Sequence, residues 1–206
     1  MSEPLPAYRT PLAAGYDASA RRSWTLRLRA IARLALRPGD VVLDAGCGTG
    51  LSFAALLGAV GESGRVIGIE ASPAMMALAR DRVAAAGWTN VHLIESALEA
   101  ADWSPPADAV LFNYTHDLLR SPDALDRVRS RVCPGARVVA AGIKHPPRWL
   151  DPFRLYRRFK SAGCHRNREG LDAPWSLLAA EVTGLQVEAT GLGSGFIAWG
   201  RYPGSA

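Results

Sequence analysis

Val41-Val42-Leu43-Asp44-Ala45-Gly46-Cys47-Gly48-Thr49-Gly50 is the stretch that decides the fold. Val41 to Leu43 is an apolar run too short for a helix, and it reads as a buried parallel strand. Asp44 falls at the carboxyl end of that strand, ahead of a turn. Gly46, Gly48 and Gly50 recur at every second position, where the missing Cβ lets a ligand approach the backbone. A helical pattern begins behind them in Leu51, Phe53, Ala54, Leu56 and Leu57. In an open α/β sheet, this strand-loop-helix corner is where ligands bind. A dinucleotide fingerprint, G-x-G-x-x-G, would require glycine at position 51; Leu51 stands there, so that pattern fails.

What remains is D-x-G-x-G-x-G over residues 44–50, which resembles motif I of the class I methyltransferases that use S-adenosylmethionine (SAM). The resemblance implies that Gly46, Cys47, Gly48 and Gly50 pass under the methionine end of the cofactor while Asp44 helps hold its amino group. Electrostatics agrees: a carboxylate at Asp44 suits the cation of SAM and repels a pyrophosphate. The expected product is S-adenosylhomocysteine.

Working outward, Arg65 to Ile69 reads as the second strand, with Glu70 at its end, 20 residues past Gly50. An acid there accepts hydrogen bonds from ribose hydroxyls in adenosine-binding sheets. Gly68-Ile69-Glu70-Ala71-Ser72-Pro73 resembles the family's motif II, which adds Ala71 to the cofactor set. Ser72 is a helix cap and Pro73 suits the first helical position. Met75 is read as packing on the adenine, with plain core packing as the alternative. Val91 to Ile94 is the third strand. Ser96 follows it, where relatives often carry an Asp against the adenine amino group. A hydroxyl accepts more weakly than a carboxylate, which shifts the expected contact toward backbone groups at Ser96 and Ala97.

Ala109 to Phe112 is the fourth strand, and Asn113-Tyr114-Thr115-His116-Asp117 occupies the motif IV position, which in relatives lies beside the transferable methyl group. Asn113 and Tyr114 are expected against the cofactor and acceptor. His116 is a general-base candidate, since an unperturbed imidazole titrates near neutrality. Asp117 either orients it or takes the proton itself, and a surface or capping role is the alternative for both. Ala136 to Ile143 is the fifth strand, with Cys133-Pro134-Gly135 read as a turn before it and His145, a second base candidate, just beyond it.

Tyr16-Asp17 precedes a helix expected over roughly 18–36, with Trp24, Leu26, Leu28, Ile31, Leu34 and Leu36 as its apolar positions. By the resemblance, Tyr16 reaches the SAM carboxylate; packing against the sheet is the alternative. Residues 146–171 do not fit the common core. Trp149, Leu150, Phe153, Tyr156 and Phe159 alternate there with Arg154, Arg157, Arg158 and Lys160. Such a basic amphipathic stretch lies on an anionic membrane, shapes an acceptor pocket or caps the core. A last helix to about Val182 and strands at 186–190 and 196–202 close the chain.

The 206 residues carry a net charge of +5, are 49% hydrophobic, and contain no apolar run long enough for a transmembrane helix. Arginines at 21, 22, 27, 29, 33 and 37 stand without an acid among them, although arginine dominates lysine throughout the chain. Cys47, Cys133 and Cys164 lack metal or disulfide spacing, so no metal site is expected and a cytoplasmic setting is.

The expected organisation is a tail and cap helix (1–37), a SAM-binding Rossmann-like core (38–145), the basic insertion (146–171), and a last helix with a closing hairpin (172–206). The expected fold is α/β, a seven-stranded mostly parallel sheet in the order 3-2-1-4-5-7-6 with helices on both faces. The expected function is methyl transfer from SAM to oxygen or nitrogen of a small molecule, with an anionic or amphiphilic acceptor in view: a phenol, quinone-like ring, natural product or lipid head group. No nucleic-acid partner is expected. A SAM-binding protein without catalysis and an NAD-dependent oxidoreductase are the alternatives.

Overall fold

The computed structural model describes residues 23–145, 171–190 and 193–204. Tyr16 lies outside these residues, as does the 146–171 stretch apart from Leu171.

Seven strands form one sheet in the order β3-β2-β1-β4-β5-β7-β6. They are β1 (Val41–Ala45), β2 (Arg65–Glu70), β3 (Val91–Glu95), β4 (Ala107–Asn113), β5 (Val132–Ile143), β6 (Thr183–Thr190) and β7 (Gly195–Arg201). The first five pair in parallel, and β7 runs antiparallel between β5 and β6. The strand order reverses beside β1, so the carboxyl ends of β1 and β4 open a crevice at the switch point. The expected order is the observed one.

Five helices flank the sheet among the described residues: α1 (Trp24–Arg33), α2 (Phe53–Val60), α3 (Pro73–Ala86), α4 (Pro122–Arg129) and α5 (Ser176–Glu181). The core has two layers. Under α1, α2 and α3 lie Val42, Ala109, Leu111, Val139 and Ala141; the opposite faces of the same strands present Leu43, Ala45, Val110, Phe112 and Ala140 toward α4 and α5. Strand alternation sorts them, because successive side chains point to opposite faces.

Two local structures depart from expectation. The Cys133-Pro134-Gly135 segment is the start of β5, not a turn before it. Val132 pairs with Ala107, and the register then slips so that Arg137 faces Ala109. A bulge absorbs the extra residues there, Gly135 adopting φ +75°, and a bulge is a place where a strand tolerates proline. In α1 the inward residues are Arg27, Ala30, Ile31 and Leu34, whereas Trp24 and Leu28 are exposed. A guanidinium occupies a position on the helix face that the apolar pattern assigned to leucines. The basic run on this helix is also partly neutralised: Arg29 and Arg33 both pair with Glu188 on β6, and Arg33 stacks over the Trp199 ring at 4.3 Å.

No helix among the described residues is long and apolar enough to cross a membrane.

Candidate cofactor site

The glycine loop leaves β1 at Ala45 and turns back along β2. The backbone N–H groups of Gly46 and Cys47 both donate to the Ile69 carbonyl at 2.9 Å. Gly46, Gly48 and Gly50 all have positive φ, at 72°, 58° and 74°. At Gly46 glycine is needed twice over: a Cβ would stand 2.5 Å from the Thr115 methyl group. From α3, Arg82 Nε donates to the Thr49 carbonyl at 2.8 Å and holds the far side of the loop.

Glu70 fastens this loop to the next helix. One carboxylate oxygen accepts from the Gly48 N–H at 2.9 Å and the other from the Ser72 N–H at 2.8 Å. Each oxygen keeps a lone pair for a further donor. Burial pushes the Glu70 carboxyl above its ordinary range, the Ser72 and Gly48 amides pull it back, and Asp117 nearby pushes it up again. Ser72 caps α3, its hydroxyl accepting from the Met75 N–H, with Pro73 in the first turn.

These elements enclose a cleft of about 740 Å³ including its mouth, between the ends of β1, β2, β3 and β4. Gly46, Gly48, Glu70, Ala71, Met75, Ser96, Ala97, Asn113, Tyr114 and Asp117, all named from the sequence, line it. Thr115, Leu118 and Glu99 line it too and were missed. Glu99 was beyond reach of any motif; it is brought in when it accepts from the Ser121 hydroxyl at 2.9 Å. The charged groups among the described lining residues are Glu70, Glu99 and Asp117, and none is cationic. The Ser96 hydroxyl donates to the Ala97 carbonyl at 2.9 Å, which leaves its oxygen able to accept.

Other sequence-named residues are placed differently. Cys47 turns its side chain into the core, its thiol packing where Gly68 leaves room, and burial raises its pKa well above the ordinary thiol range. Gly50 is buried against the Phe53 ring. His116 does not line the cleft: its ring lies over Gly142 and edge-on to Phe196, with Nε2 2.8 Å from the Ile143 carbonyl oxygen. His145 sits past the end of β5, its backbone N–H donating to the Leu171 carbonyl.

Asp44 is 2% exposed, near the carboxyl end of β1. Burial pushes its carboxyl up to about 7; the positive charge of Arg27 works against that shift and Glu70 adds to it. Arg27 is 5% exposed and lies over the Tyr114 ring at 5.0 Å. The sequence did not mark it as buried. Its signal was a charge at helical spacing with Ala30, Ile31 and Leu34, which reads as a fault in the pattern until the helix is seen to cross the ligand end of β4.

Among the described residues, Asp44 Oδ2, both amide atoms of Asn113 and Thr115 Oγ1 are buried without a hydrogen-bond partner. Buried polar groups are nearly always satisfied, so this cluster asks for a ligand with donors to offer. An ammonium group has three. Asp44 and Asn113 therefore fit the methionine end of SAM, and Glu70 fits its ribose.

Residues 42–135 match the family model described as Methyltransferase domain. That stretch, which holds the glycine loop and the first four strands, is similar to a methyltransferase domain. Two curated relatives share about a third of the aligned sequence. The demethylmenaquinone methyltransferase of Shouchella clausii is 34% identical over 132 residues, 61% of this chain and 53% of that one. The ribosomal protein L11 methyltransferase of Thermus thermophilus is 32% identical over 155 residues, 75% of this chain and 56% of that one. The chain thus spans about half the length of the curated relatives it matches. In fold, it resembles the SAM-dependent methyltransferase of Aquifex aeolicus, with a TM-score of 0.67 and 20% identity over 95% of this chain and 99% of that one.

Proposed function

We propose that this chain is a class I methyltransferase that binds SAM in the cleft at the ends of β1 to β4 and transfers its methyl group to a small, uncharged or weakly polar acceptor carrying a ring hydroxyl or similar oxygen. The observation that carries the reading is the charge of the cleft. Its described lining holds three carboxylates, Glu70, Glu99 and Asp117, and no cation; Asp44 is buried near the end of β1 with the Arg27 charge close to it. That field attracts a sulfonium and an ammonium and repels a pyrophosphate. It argues against NAD and also against a strongly anionic acceptor.

When bound, SAM supplies an electrophilic methyl group on a sulfonium that is already a good leaving group. The chain's own residues have three tasks. Asp44 and Asn113 receive the ammonium. Glu70, already oriented by the Gly48 and Ser72 amides, receives the ribose hydroxyls, and Met75 packs against the base with Ser96 and Ala97 at its edge. Asp117 is the base candidate that reaches the cleft, and it accepts the acceptor's proton; His116, tied to the Ile143 backbone, braces the loop that carries it. Bringing acceptor and donor into line and excluding water can account for several kcal/mol of the barrier.

An aromatic, quinone-like acceptor is supported by the likeness to a demethylmenaquinone methyltransferase. The likeness to a ribosomal-protein methyltransferase favours a protein acceptor instead. One assay separates them: purified protein, methyl-labelled SAM and cell extract, partitioned into organic, small-molecule aqueous and macromolecular fractions. Label in the organic fraction is expected. Label confined to macromolecules would overturn the small-molecule reading, and no transfer to any fraction would favour a binding protein without catalysis.

A further inference from the structure

We propose that the chain carries a second ligand site, for a phosphate or phosphomonoester group, at the end of the sheet opposite the cleft, where Arg37, Arg137 and Arg201 converge. The proposal does not depend on how the cleft itself is read.

The cleft opens at the carboxyl ends of β1 and β4. A second cavity, of about 430 Å³ including its mouth, lies at their amino ends. Asp40, just before β1, and Asp108, near the start of β4, line it with the three arginines and the bulged part of β5. Both aspartates are already engaged. Asp40 accepts from the Arg37 N–H and from Arg137 Nη2, each at 2.6 Å. Asp108 accepts from the Val41 N–H at 2.8 Å.

Arg137 is fixed in place. Its side chain is 11% exposed, and Nη1 donates to the Ala35 carbonyl at 2.6 Å. The antiparallel register of β5 and β7 sets Arg201 directly opposite it. Opposed residues of an antiparallel pair share one face of the sheet, and like charges placed that way are destabilising. Val139 and Trp199, two residues away on each strand, pack in the layer under α1, so both arginines face that side. Arg37 joins them across the cavity, from the segment between α1 and β1. Asp40 answers the charge of Arg137. Arg201 donates to the Gly135 carbonyl at 3.1 Å. Among the described residues, neither Arg201 nor Arg37 has an ion pair with a carboxylate.

The ligand chemistry follows from that surplus. An anion between Arg37 and Arg201 offsets both unanswered charges and the opposition of Arg137 and Arg201. The planar fork of arginine takes two oxygens at once. A carboxylate has two oxygens and one charge, enough for one guanidinium. A phosphate group has the oxygens and the charge for two.

The test uses inorganic phosphate and glycerol 3-phosphate as probes, with sodium chloride at matched ionic strength as the control. Thermal melting and calorimetric titration are run on wild type, Arg37→Gln and Arg201→Gln. Phosphate is expected to raise the wild-type midpoint above its value in chloride, as a ligand of the native state does, and to titrate to one site per chain. Each variant should bind it about tenfold more weakly or worse, the loss of a charge-assisted hydrogen-bonded pair. Tighter binding of glycerol 3-phosphate would assign the site to an esterified phosphate, and tighter binding of inorganic phosphate to the free ion; either supports the site. Arg37 is exposed, so Arg37→Gln keeps the fold and decides the matter if Arg201→Gln does not. Midpoints that phosphate and chloride raise equally would overturn the proposal, as would an Arg37→Gln variant that binds phosphate as wild type does.

Discussion

Replacing Asp44 with Asn should stabilise the ligand-free protein and abolish tight cofactor binding at the same time. Asp44 is 2% exposed, with one carboxylate oxygen unpartnered among the described residues. Burial moves its carboxyl from 3.8 to about 7. In the unfolded chain it titrates near 4, so the native state holds its proton more tightly. Below about pH 4 both states are protonated and no penalty exists. Between about pH 4 and 7 the unfolded state ionises first, and stability falls by up to 1.4 kcal/mol per pH unit. Above about pH 7 both are ionised and the cost levels off. A change from 3.8 to about 7 corresponds to an upper bound of about 4 kcal/mol. Urea unfolding of wild type and Asp44→Asn, at steps from pH 4.5 to 8.5, reads this directly. The variant's advantage should grow across the range and flatten near neutrality. Added SAM should raise the wild-type midpoint and leave that of the variant unmoved. A variant no more stable than wild type at pH 8, or one that SAM still stabilises fully, would refute the idea that Asp44 is a strained charge held for a cationic ligand.

Other consequences are sharper in single assays. Gly46→Ala combines a φ of +72° with a 2.5 Å approach to the Thr115 methyl group; the backbone cost alone is about 1–2 kcal/mol. Thermal melting should show the loss, and adding Thr115→Ser should recover only the part due to the contact. Glu70→Gln should weaken SAM by about tenfold to hundredfold in a binding titration, because a carboxylate that now accepts from Gly48 and Ser72 is replaced by a weaker acceptor. Asp117→Asn should lower the transfer rate on an oxygen acceptor by about a hundredfold, a larger loss than any in SAM affinity. His116→Ala should lower stability by about 1–2 kcal/mol through loss of its Ile143 hydrogen bond, and lower the transfer rate far less than Asp117→Asn does.

Most of the scaffold was legible because each signal was local. The apolar run before Asp44, the alternate glycines and the acid at the end of β2 each declare their conformation within a few residues. The sheet order then followed from the resemblance. What could not be read depended on tertiary packing. Pro134 and Gly135 look like a turn in isolation, and only the pairing of Val132 with Ala107 makes them a bulge within β5. Arg27 looks like surface charge, and only the path of α1 over β4 brings it to Tyr114. Cys47 belongs to the loop by sequence, yet its thiol turns to the core because Gly68 leaves the space. His116 has base chemistry by type, but its ring lies over Gly142 rather than in the cleft.

The claim on which the rest depends is that an acid-lined cleft selects a cationic nucleoside. Calorimetric titration of the purified chain with SAM, S-adenosylhomocysteine and NAD tests it without any knowledge of the acceptor. The account predicts one SAM per chain, binding that weakens as salt is raised, a lower affinity for S-adenosylhomocysteine, which lacks the sulfonium charge, and no binding of NAD. Tight NAD binding without SAM binding would contradict it.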